Sequence, residues 1–148
     1  MRRGRALIVA LALFVPLTAD ADDVGRVKVV KGSVTIERSG ARLPATVGLR
    51  LQQGDVIATG RDGSAGVTFN DDSLLSVGPD TTLSIDRFAF DSTTHVGRFD
   101  TSLRQGTLSA VSGKIAKQSP DAMKVRTPST ILGVRGTEFV VRVTAVAP

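Results

Sequence analysis

Apolar residues in most of this chain fall into short alternating runs, separated by glycine, aspartate, asparagine, serine and proline. Residues 27–29 and 34–36 flank the turn-like pair Lys31-Gly32, and the same alternation returns at residues 67–69 and 83–85. A period of two is typical of half-buried strands, and glycine with acidic or amide residues between the runs is typical of hairpin turns. The pattern predicts an all-β fold, an antiparallel β-sandwich or jelly-roll-like domain, because the runs recur about every ten residues.

Two stretches depart from this regular pattern. Residues 86–100 are polar except for Phe88, Phe90, Val96 and Phe99, which leaves an insertion loop and a wide hairpin as alternatives. Residues 114–121 are predicted to form a polar, exposed connection. No part of the chain after residue 21 has a helical face of any length.

The first 21 residues have the three parts of a secretory signal peptide. A basic start precedes ten apolar residues, Ala6–Val15, and the segment closes with the A-x-A site Ala19-Asp20-Ala21. An uncleaved membrane anchor is the alternative, but ten residues are fewer than the roughly 20 that span a bilayer as a helix. We therefore predict a cleavable signal peptide at 1–21, one periplasmic or exported domain at 22–148, and no transmembrane span after cleavage.

Composition narrows the classes of partner. The formal charge falls from +5 to +3 once the leader's three arginines and one aspartate are removed. The remaining basic residues are scattered singly and the chain has no Trp or Tyr to stack on bases, so no nucleic-acid partner is expected. Cysteine is absent as well, so packing and hydrogen bonds must stabilise the domain.

Residues 124–143 contain three short extended runs separated by one proline and two glycines. The first run ends at the turn signal Thr127-Pro128, residues 131–134 are too short and too β-branched for a helix, and Thr137–Val143 is predicted to be a core strand. Proline restricts the residue before it to extended geometry. Gly133 and Gly136 can adopt backbone angles that other residues avoid, so we interpret both as joints between strands.

The same segment, TPSTILGVRGTEFVVRV, closely resembles the T-P-x-A-x-x-G-V-R-G-T-x-F-x-V signature in the periplasmic domain of the FecR family, the ferric-citrate signalling regulators and their relatives. Residues 51–60 are similar to the family's L-x-x-G-D-x-I-x-T-G, and residues 63–77 to its G-S-A-x-V-x-F-x-D-G-S-x-L-x-L. Asp72 stands where the family usually has glycine, which leaves the turn type open but keeps the hairpin. The candidate structural or partner-binding residues in these motifs are Gly54, Asp55, Thr59, Gly60, Thr127, Pro128, Arg135, Gly136, Thr137, Glu138 and Phe139.

The resemblance implies a non-catalytic binding or signalling module outside the cytoplasm. Its partner would be an envelope or membrane protein, such as a signalling or transport component, or an envelope ligand, contacted through strand edges and loops. Family members that regulate sigma factors also carry a cytoplasmic segment, a membrane helix and a further periplasmic region. None of these three parts is expected in this chain, so the resemblance does not imply their complete relay. No cofactor and no metal are expected.

Acidic residues in consecutive turns leave a second function class open. Asp71, Asp72 and Asp80 could serve glycoside hydrolysis or bind calcium, as in a small envelope carbohydrate-binding or hydrolytic domain. Aspartates on hairpin turns are more often turn formers, and this spacing does not match a calcium loop. We interpret them as structural and expect Asp71→Asn and Asp72→Asn to fold normally.

Few other side chains suggest chemistry. His95 lies in a polar loop of a chain without cysteine, so neither a zinc cage nor a Cys-His pair can be assembled. Arg135 and Glu138 are the charged residues between Thr127 and Val141, the part of the segment that aligns with the family signature. Arg135 is either a clamp for a ligand carboxylate or the partner of Asp55 in an internal ion pair. The internal pair is favoured, because a charge beside apolar strands is normally paired.

Overall fold

The computed structural model describes residues 22–134 and 137–144. Within these ranges the chain forms twelve β-strands, one short α-helix and one 3₁₀ helix, which confirms the all-β class. The sandwich or jelly-roll arrangement stays a prediction. The elements are β1 (Asp23–Lys31), β2 (Val34–Arg38), β3 (Ala41–Pro44), β4 (Arg50–Gln52), β5 (Val56–Thr59), β6 (Ser64–Phe69), β7 (Leu74–Val77), β8 (Thr82–Phe90), β9 (Gly97–Val111), α1 (Lys114–Gln118), the 3₁₀ helix Pro120–Ala122, β10 (Met123–Arg126), β11 (Ile131–Gly133) and β12 (Glu138–Val143).

Strand β9 organises the sheet, because it is long enough to pair with different strands along its two halves. Its first half pairs antiparallel with β8, and residues 99–102 also pair parallel with β10. Its second half pairs antiparallel with β7 and β12. The main path of neighbouring strands is β3-β2-β5-β8-β9-β7-β6-β1-β4, and β10, β11 and β12 branch from it.

A one-residue bulge divides the two halves of β9. The partner of Thr82 is Gln105 and the partner of Leu83 is Leu103, so Arg104 has no partner on β8. The buried apolar side chains of β9 occupy odd positions before the bulge and even positions after it. Because side chains alternate between the two faces of a strand, one extra residue produces this change of phase.

Gly106 allows β9 to bend where it changes partners. Its φ angle is +93°, in the left-handed region that favours glycine. A Cβ at this position would overlap Thr81, whose Oγ1 accepts a hydrogen bond from the Thr107 amide at 3.0 Å. Glycine therefore lets β9 pass close to the turn between β7 and β8.

The interior is one apolar cluster to which both halves of β9 contribute. Phe69, Phe88 and Phe99 lie together in it, with ring centroids 4.6 to 5.6 Å apart. Rings at these distances in tilted or edge-to-face orientations attract one another. Leu83 and Leu108 are among the fully buried aliphatic side chains of the same cluster.

The prediction of a polar, exposed connection at residues 114–121 holds for the exposed residues 117–121 but is wrong for the start of the segment. Lys114–Gln118 forms α1, and Ile115 and Ala116 are buried in the core. A helix of five residues is too short to show amphipathic spacing in a sequence. Neither described helix is long and apolar enough to cross a membrane. Residues 86–100 form the wide hairpin, with β8 and β9 paired as far as Phe90 and Gly97.

The signature segment forms a hairpin and an edge strand. β10 and β11 pair antiparallel across the predicted turn, where the Thr127 amide donates to the Thr130 carbonyl at 2.8 Å. The prediction of a core strand at 137–143 is wrong, because β12 pairs only with β9 among the described strands and none of its side chains is fully buried. Phe139, Val141 and Val143 are partly buried against the core. The other face of β12 is exposed, and hydrophobicity along the sequence does not reveal that a neighbouring strand is missing.

The two glycines of the signature have different outcomes. Gly133 has no positive φ, and a Cβ added to it would meet nothing within 4 Å. Gly133 ends β11 and so lies at a joint between strands, but it does not adopt the backbone angles that would require glycine there. Gly136, the second predicted joint, lies outside the described residues, as does Arg135.

Candidate binding site

The Gly-Asp motif contributes the buried carboxylate of an ion pair whose arginine is partly exposed. Asp55 is fully buried, and its carboxylate accepts hydrogen bonds from Arg38 Nε at 2.9 Å and from Arg38 Nη2 at 2.7 Å. The backbone amide of Gln52 donates to the same carboxylate at 2.9 Å, and Gly54 supplies the positive φ of the turn. The hydrogen bond to Asp55 raises the pKa of the Arg38 guanidinium above its ordinary value. Arg38 thus binds the Asp55 carboxylate. Arg135, which the sequence predicts as the partner of Asp55, lies outside the described residues.

Thr59 and Gly60 connect neighbouring turns. Thr59 Oγ1 donates to the Gly78 carbonyl at 2.7 Å and accepts from the Thr81 amide at 2.9 Å. The Gly60 amide donates to the Ser33 carbonyl at 2.9 Å. These bonds use the polar groups of the Thr-Gly motif inside the protein, so both residues position strands.

Two of the three acidic turn residues, Asp71 and Asp72, make internal contacts through their carboxylates, and no described residue contacts the carboxylate of the exposed Asp80. Asp71 is fully buried, and its carboxylate accepts from the Ser73 amide at 3.1 Å, from Ser73 Oγ at 2.8 Å and from the Ile115 amide at 3.4 Å. Asp72 adopts a φ of +67° and pairs with Lys114 at 3.0 Å. Both arrangements agree with aspartate as a turn former. Among the described residues, no three His, Cys, Asp or Glu side chains lie together so that they could hold a metal ion.

The Asp91 turn between β8 and β9 is also closed by its own carboxylate. Asp91 Oδ1 accepts from the Thr93 amide at 2.8 Å and from the Thr94 amide at 3.1 Å. Donation by these two amides, with Thr94 the larger cause, lowers the pKa of Asp91 from its ordinary value. His95 lies in the same turn with a φ of +61°, and its ring centroid is 6.0 Å from that of Phe90. These contacts give His95 a place in the shape of the turn.

A cavity opens where β10 and β12 separate. β7 and β8 follow one another along one edge of β9, and β10 and β12 follow one another along the other. Along β9, pairing with β10 ends at Ser102 and pairing with β12 starts at Gly106. Residues 103–105 of β9 therefore pair with neither strand on this edge. The opening contains a cavity of about 500 Å³. Its walls are Arg104, Gln105, Thr127, Pro128, Ser129, Thr130, Leu132, Val141, Arg142, Val143 and Thr144.

A smaller cavity of about 230 Å³ adjoins the first one. The two share Arg104, Thr127 and Pro128, and the smaller cavity adds Arg126 to the lining. We call the two cavities together the arginine notch. Of the predicted site residues, Thr127 and Pro128 therefore lie at the arginine notch.

The three arginines of the notch have no protein partner in the described part of the chain. Arg104, Arg126 and Arg142 are exposed, and no side-chain hydrogen bond or ion pair joins them to any described residue. None of the described residues that line the two cavities is acidic. Leu132 and Val143 add apolar surface beside the guanidinium groups. Guanidinium groups bind carboxylates and phosphates, so the notch fits an anionic group attached to an apolar body.

Sequence reasoning missed these arginines for two reasons. Arg104 reaches the notch because β9 has a bulge there, and a bulge depends on pairing with a distant strand. Arg142 lies on the strand that was predicted for the core. One signal was present in the sequence, since Leu103 and Leu108 are five residues apart and alternation with a period of two cannot place both on one face.

β12 also presents an open backbone edge. The Thr137 carbonyl accepts from the Ser112 amide at 2.8 Å, so the odd-numbered residues of β12 direct their backbone groups toward β9. Glu138, Val140 and Arg142 direct theirs away from β9, and no described strand pairs with them there. Their side chains are exposed, that of Val140 by 65%. Thr137 and Glu138 thus lie at the rim of the sheet, and Phe139 lies on its inner face.

Comparison with protein families gives a match over most of the described structure. The family model described as FecR protein matches residues 55–147. This range includes the arginine notch and β12 as well as the signature segment. Neither the curated proteins nor the solved structures returned a match.

Proposed function

This chain belongs to the FecR family, and we propose on this basis that it is a non-catalytic signalling module of the cell envelope. It is exported, loses residues 1–21, and acts by binding a protein partner through an acidic segment of that partner. The observation that supports this most is the arginine notch, where three guanidinium groups lie without a described protein partner.

An acidic and partly apolar protein segment is the ligand that suits both kinds of wall in the notch. Arg104 and Arg126 offer fork-shaped donors, which bind a carboxylate through two parallel hydrogen bonds. Leu132 and Val143 can cover an apolar side chain next to that carboxylate. A cavity of about 500 Å³ is within the usual range for ligand sites and admits only a short segment.

The notch can be tested with two labelled peptides of matched shape. One alternates Asp or Glu with Leu and Val, and the other has Asn and Gln in place of the acids. Fluorescence anisotropy should show binding of the acidic peptide alone, weakened several-fold in Arg104→Ala and Arg126→Ala and by added salt. Arg61→Ala, at an exposed arginine in the turn between β5 and β6, is the matched control.

Two results would contradict this ligand assignment. Equal binding of the acidic and neutral peptides would show that charge does not select the ligand. Loss of binding in Arg61→Ala as large as in Arg104→Ala would show that only net charge matters. In either case the arginine notch would not be the binding site.

Export is tested separately from binding. Mass spectrometry of the exported protein should find a mature chain that begins at Asp22, because Ala19-Asp20-Ala21 has the form of a signal-peptidase site. Recovery of residues 1–21 in a membrane fraction would instead support the anchored alternative.

The acidic turns do not favour the alternative of a carbohydrate-binding or hydrolytic domain. Asp71 is buried against Ser73 and Ile115, and Asp72 pairs with Lys114. A carboxylate that acts on a sugar must be accessible to it, which excludes the buried Asp71 and leaves only the exposed Asp72 and Asp80 of this group. Screening glycan and peptidoglycan fragments against the mature domain tests this class directly, and an unchanged unfolding midpoint in chelator is expected if folding needs no metal.

A further inference from the structure

The outer edge of β12 differs from the other edges of this sheet. β3, β4 and β11, which also have one described neighbour each, contain only three or four residues. β12 contains six residues and pairs with β9 without a bulge. Native edge strands are commonly kept short or interrupted by proline or a bulge, because an open edge recruits another strand. None of these protections is present in the described residues of β12.

Backbone direction limits how any strand could pair with this edge. Glu138, Val140 and Arg142 direct their N–H and C=O groups outward, since the odd-numbered residues bond to β9. In an antiparallel pair, the residues that exchange hydrogen bonds must direct these groups at each other. A second copy of β12 can therefore pair only in registers that place even-numbered residues opposite even-numbered ones.

We propose that β12 is a self-association edge, at which a second copy of this chain pairs antiparallel with Val140 opposite Val140. In this register Glu138 lies opposite Arg142, and two-fold symmetry forms the pair twice. A shift by two residues removes both pairs, because Glu138 would then face Val140 or Thr144. Opposite charges directly across an antiparallel pair are stabilising and like charges are destabilising, so the sequence of β12 selects one register.

The inner face of β12 is compatible with the same register. Phe139 lies opposite Val141 of the second copy, as a non-hydrogen-bonded pair whose side chains approach closely. Both residues are already partly buried against the core. At the far end of the strand, the cavity beside Arg142 and Thr144 leaves room for the side chain of Glu138 from the second copy.

The expected association is weak and specific. The five residue pairs between positions 138 and 142 bury much less surface than a standard interface of roughly 1,600 Å², so the dimer should form only at high protein concentration. Its existence does not depend on the proposed signalling function, since the register follows from the strand itself.

Sedimentation of charge-reversal variants tests the register. The mature protein is followed from low micromolar to millimolar concentration, and a concentration-dependent dimer is expected. Glu138→Arg and Arg142→Glu should each weaken it by about tenfold, because each places like charges across both pairs. The double variant Glu138→Arg/Arg142→Glu should restore it, because the charges are exchanged and the pairs return.

Single cysteines test the geometry directly, since the chain has none of its own. Val140→Cys would face its own copy across a hydrogen-bonded pair at roughly 5.5 Å between Cα atoms, within disulfide reach. Glu138→Cys is equally placed on the exposed face but would lie about 14 Å from its own copy, four residues along the strand and one strand across. Rapid oxidative cross-linking is expected for Val140→Cys and not for Glu138→Cys, while a mixture of Glu138→Cys and Arg142→Cys should cross-link.

Three outcomes would overturn the proposal. They are a monomer at all concentrations, a double charge exchange that fails to restore the dimer, and cross-linking of Glu138→Cys as fast as Val140→Cys. A protein that stays monomeric would leave the edge to a strand from a different protein. Unfolding midpoints equal to that of the parent protein show that the variants are folded, as expected for exposed side chains.

Discussion

At the scale of single residues, Asp71 and Asp72 are neighbours whose carboxylates have different surroundings. Asp71 is buried and accepts from three donors, whereas Asp72 is exposed and forms an ion pair with Lys114. The sequence treated both as equivalent turn formers. The sequence predicts that Asp71→Asn folds normally, and these contacts change that expectation. A buried N–H group that loses its acceptor is still removed from water, and this costs free energy.

Asp71→Asn should destabilise the fold by about 1–3 kcal/mol. An amide nitrogen in place of either oxygen would face the Ser73 amide or the Ile115 amide, and one of these N–H groups would lose its acceptor. Asp72→Asn should cost less than about 1 kcal/mol, since Asn also tolerates positive φ and an exposed ion pair contributes little. Urea unfolding compares the two, and equal midpoints would contradict the role given to Asp71.

The ion pairs of Arg38 and Arg42 differ in how far their carboxylates are exposed. Among the described residues, Arg38→Ala would leave the Gln52 backbone amide as the one donor to the Asp55 carboxylate, at a cost of about 3–5 kcal/mol. Arg42 pairs with Glu37 at 3.3 Å and its side chain is 78% exposed, so Arg42→Ala should change stability by less than about 1 kcal/mol. Urea unfolding of both variants provides the measurement. A loss in Arg38→Ala no larger than in Arg42→Ala would show that this ion pair does not hold the Gly-Asp turn.

At the scale of elements, β9 pairs with four other strands, and Gly106 lies where its pairing changes from β8 to β7. Gly106→Ala should cost a few kcal/mol, on the order expected for positive φ combined with overlap against Thr81. Gly133→Ala is the control, because a Cβ there meets nothing within 4 Å and its φ is not positive. Thermal or urea unfolding should separate them clearly. If Gly133→Ala proved the more destabilising, the bend in β9 would not depend on glycine.

Local chemistry was predictable from the sequence, and the arrangement of neighbours was not. The Thr127-Pro128 hairpin and the Gly54-Asp55 turn were recognised, because turns depend on residues a few positions apart. The edge position of β12 and the bulge at Arg104 depend on which strands pair at long range. Side chains of alternating hydrophobicity fit a central strand and a half-covered edge strand equally well, so β12 was placed in the core.

At the scale of the whole molecule, the arginine notch and the outer edge of β12 meet at Arg142. This arginine lines the larger cavity and faces outward from β12. In the proposed dimer, Glu138 of the second copy would neutralise it, and one wall of the notch would lose its positive charge. Ligand binding and self-association therefore compete for one side chain, and each must weaken the other by the same factor.

The acidic peptide should consequently dissociate the dimer. At saturating peptide, the dissociation constant of the dimer measured by sedimentation should rise by about fivefold or more, the lower end of usual coupling between sites. The neutral peptide should have no effect, because it leaves Arg142 free for Glu138. In Arg104→Ala/Arg126→Ala, which removes two walls of the notch and leaves β12 intact, the acidic peptide should lose its effect while the dimer persists. A dimer that is strengthened or unchanged by a peptide shown to bind would contradict the shared use of Arg142.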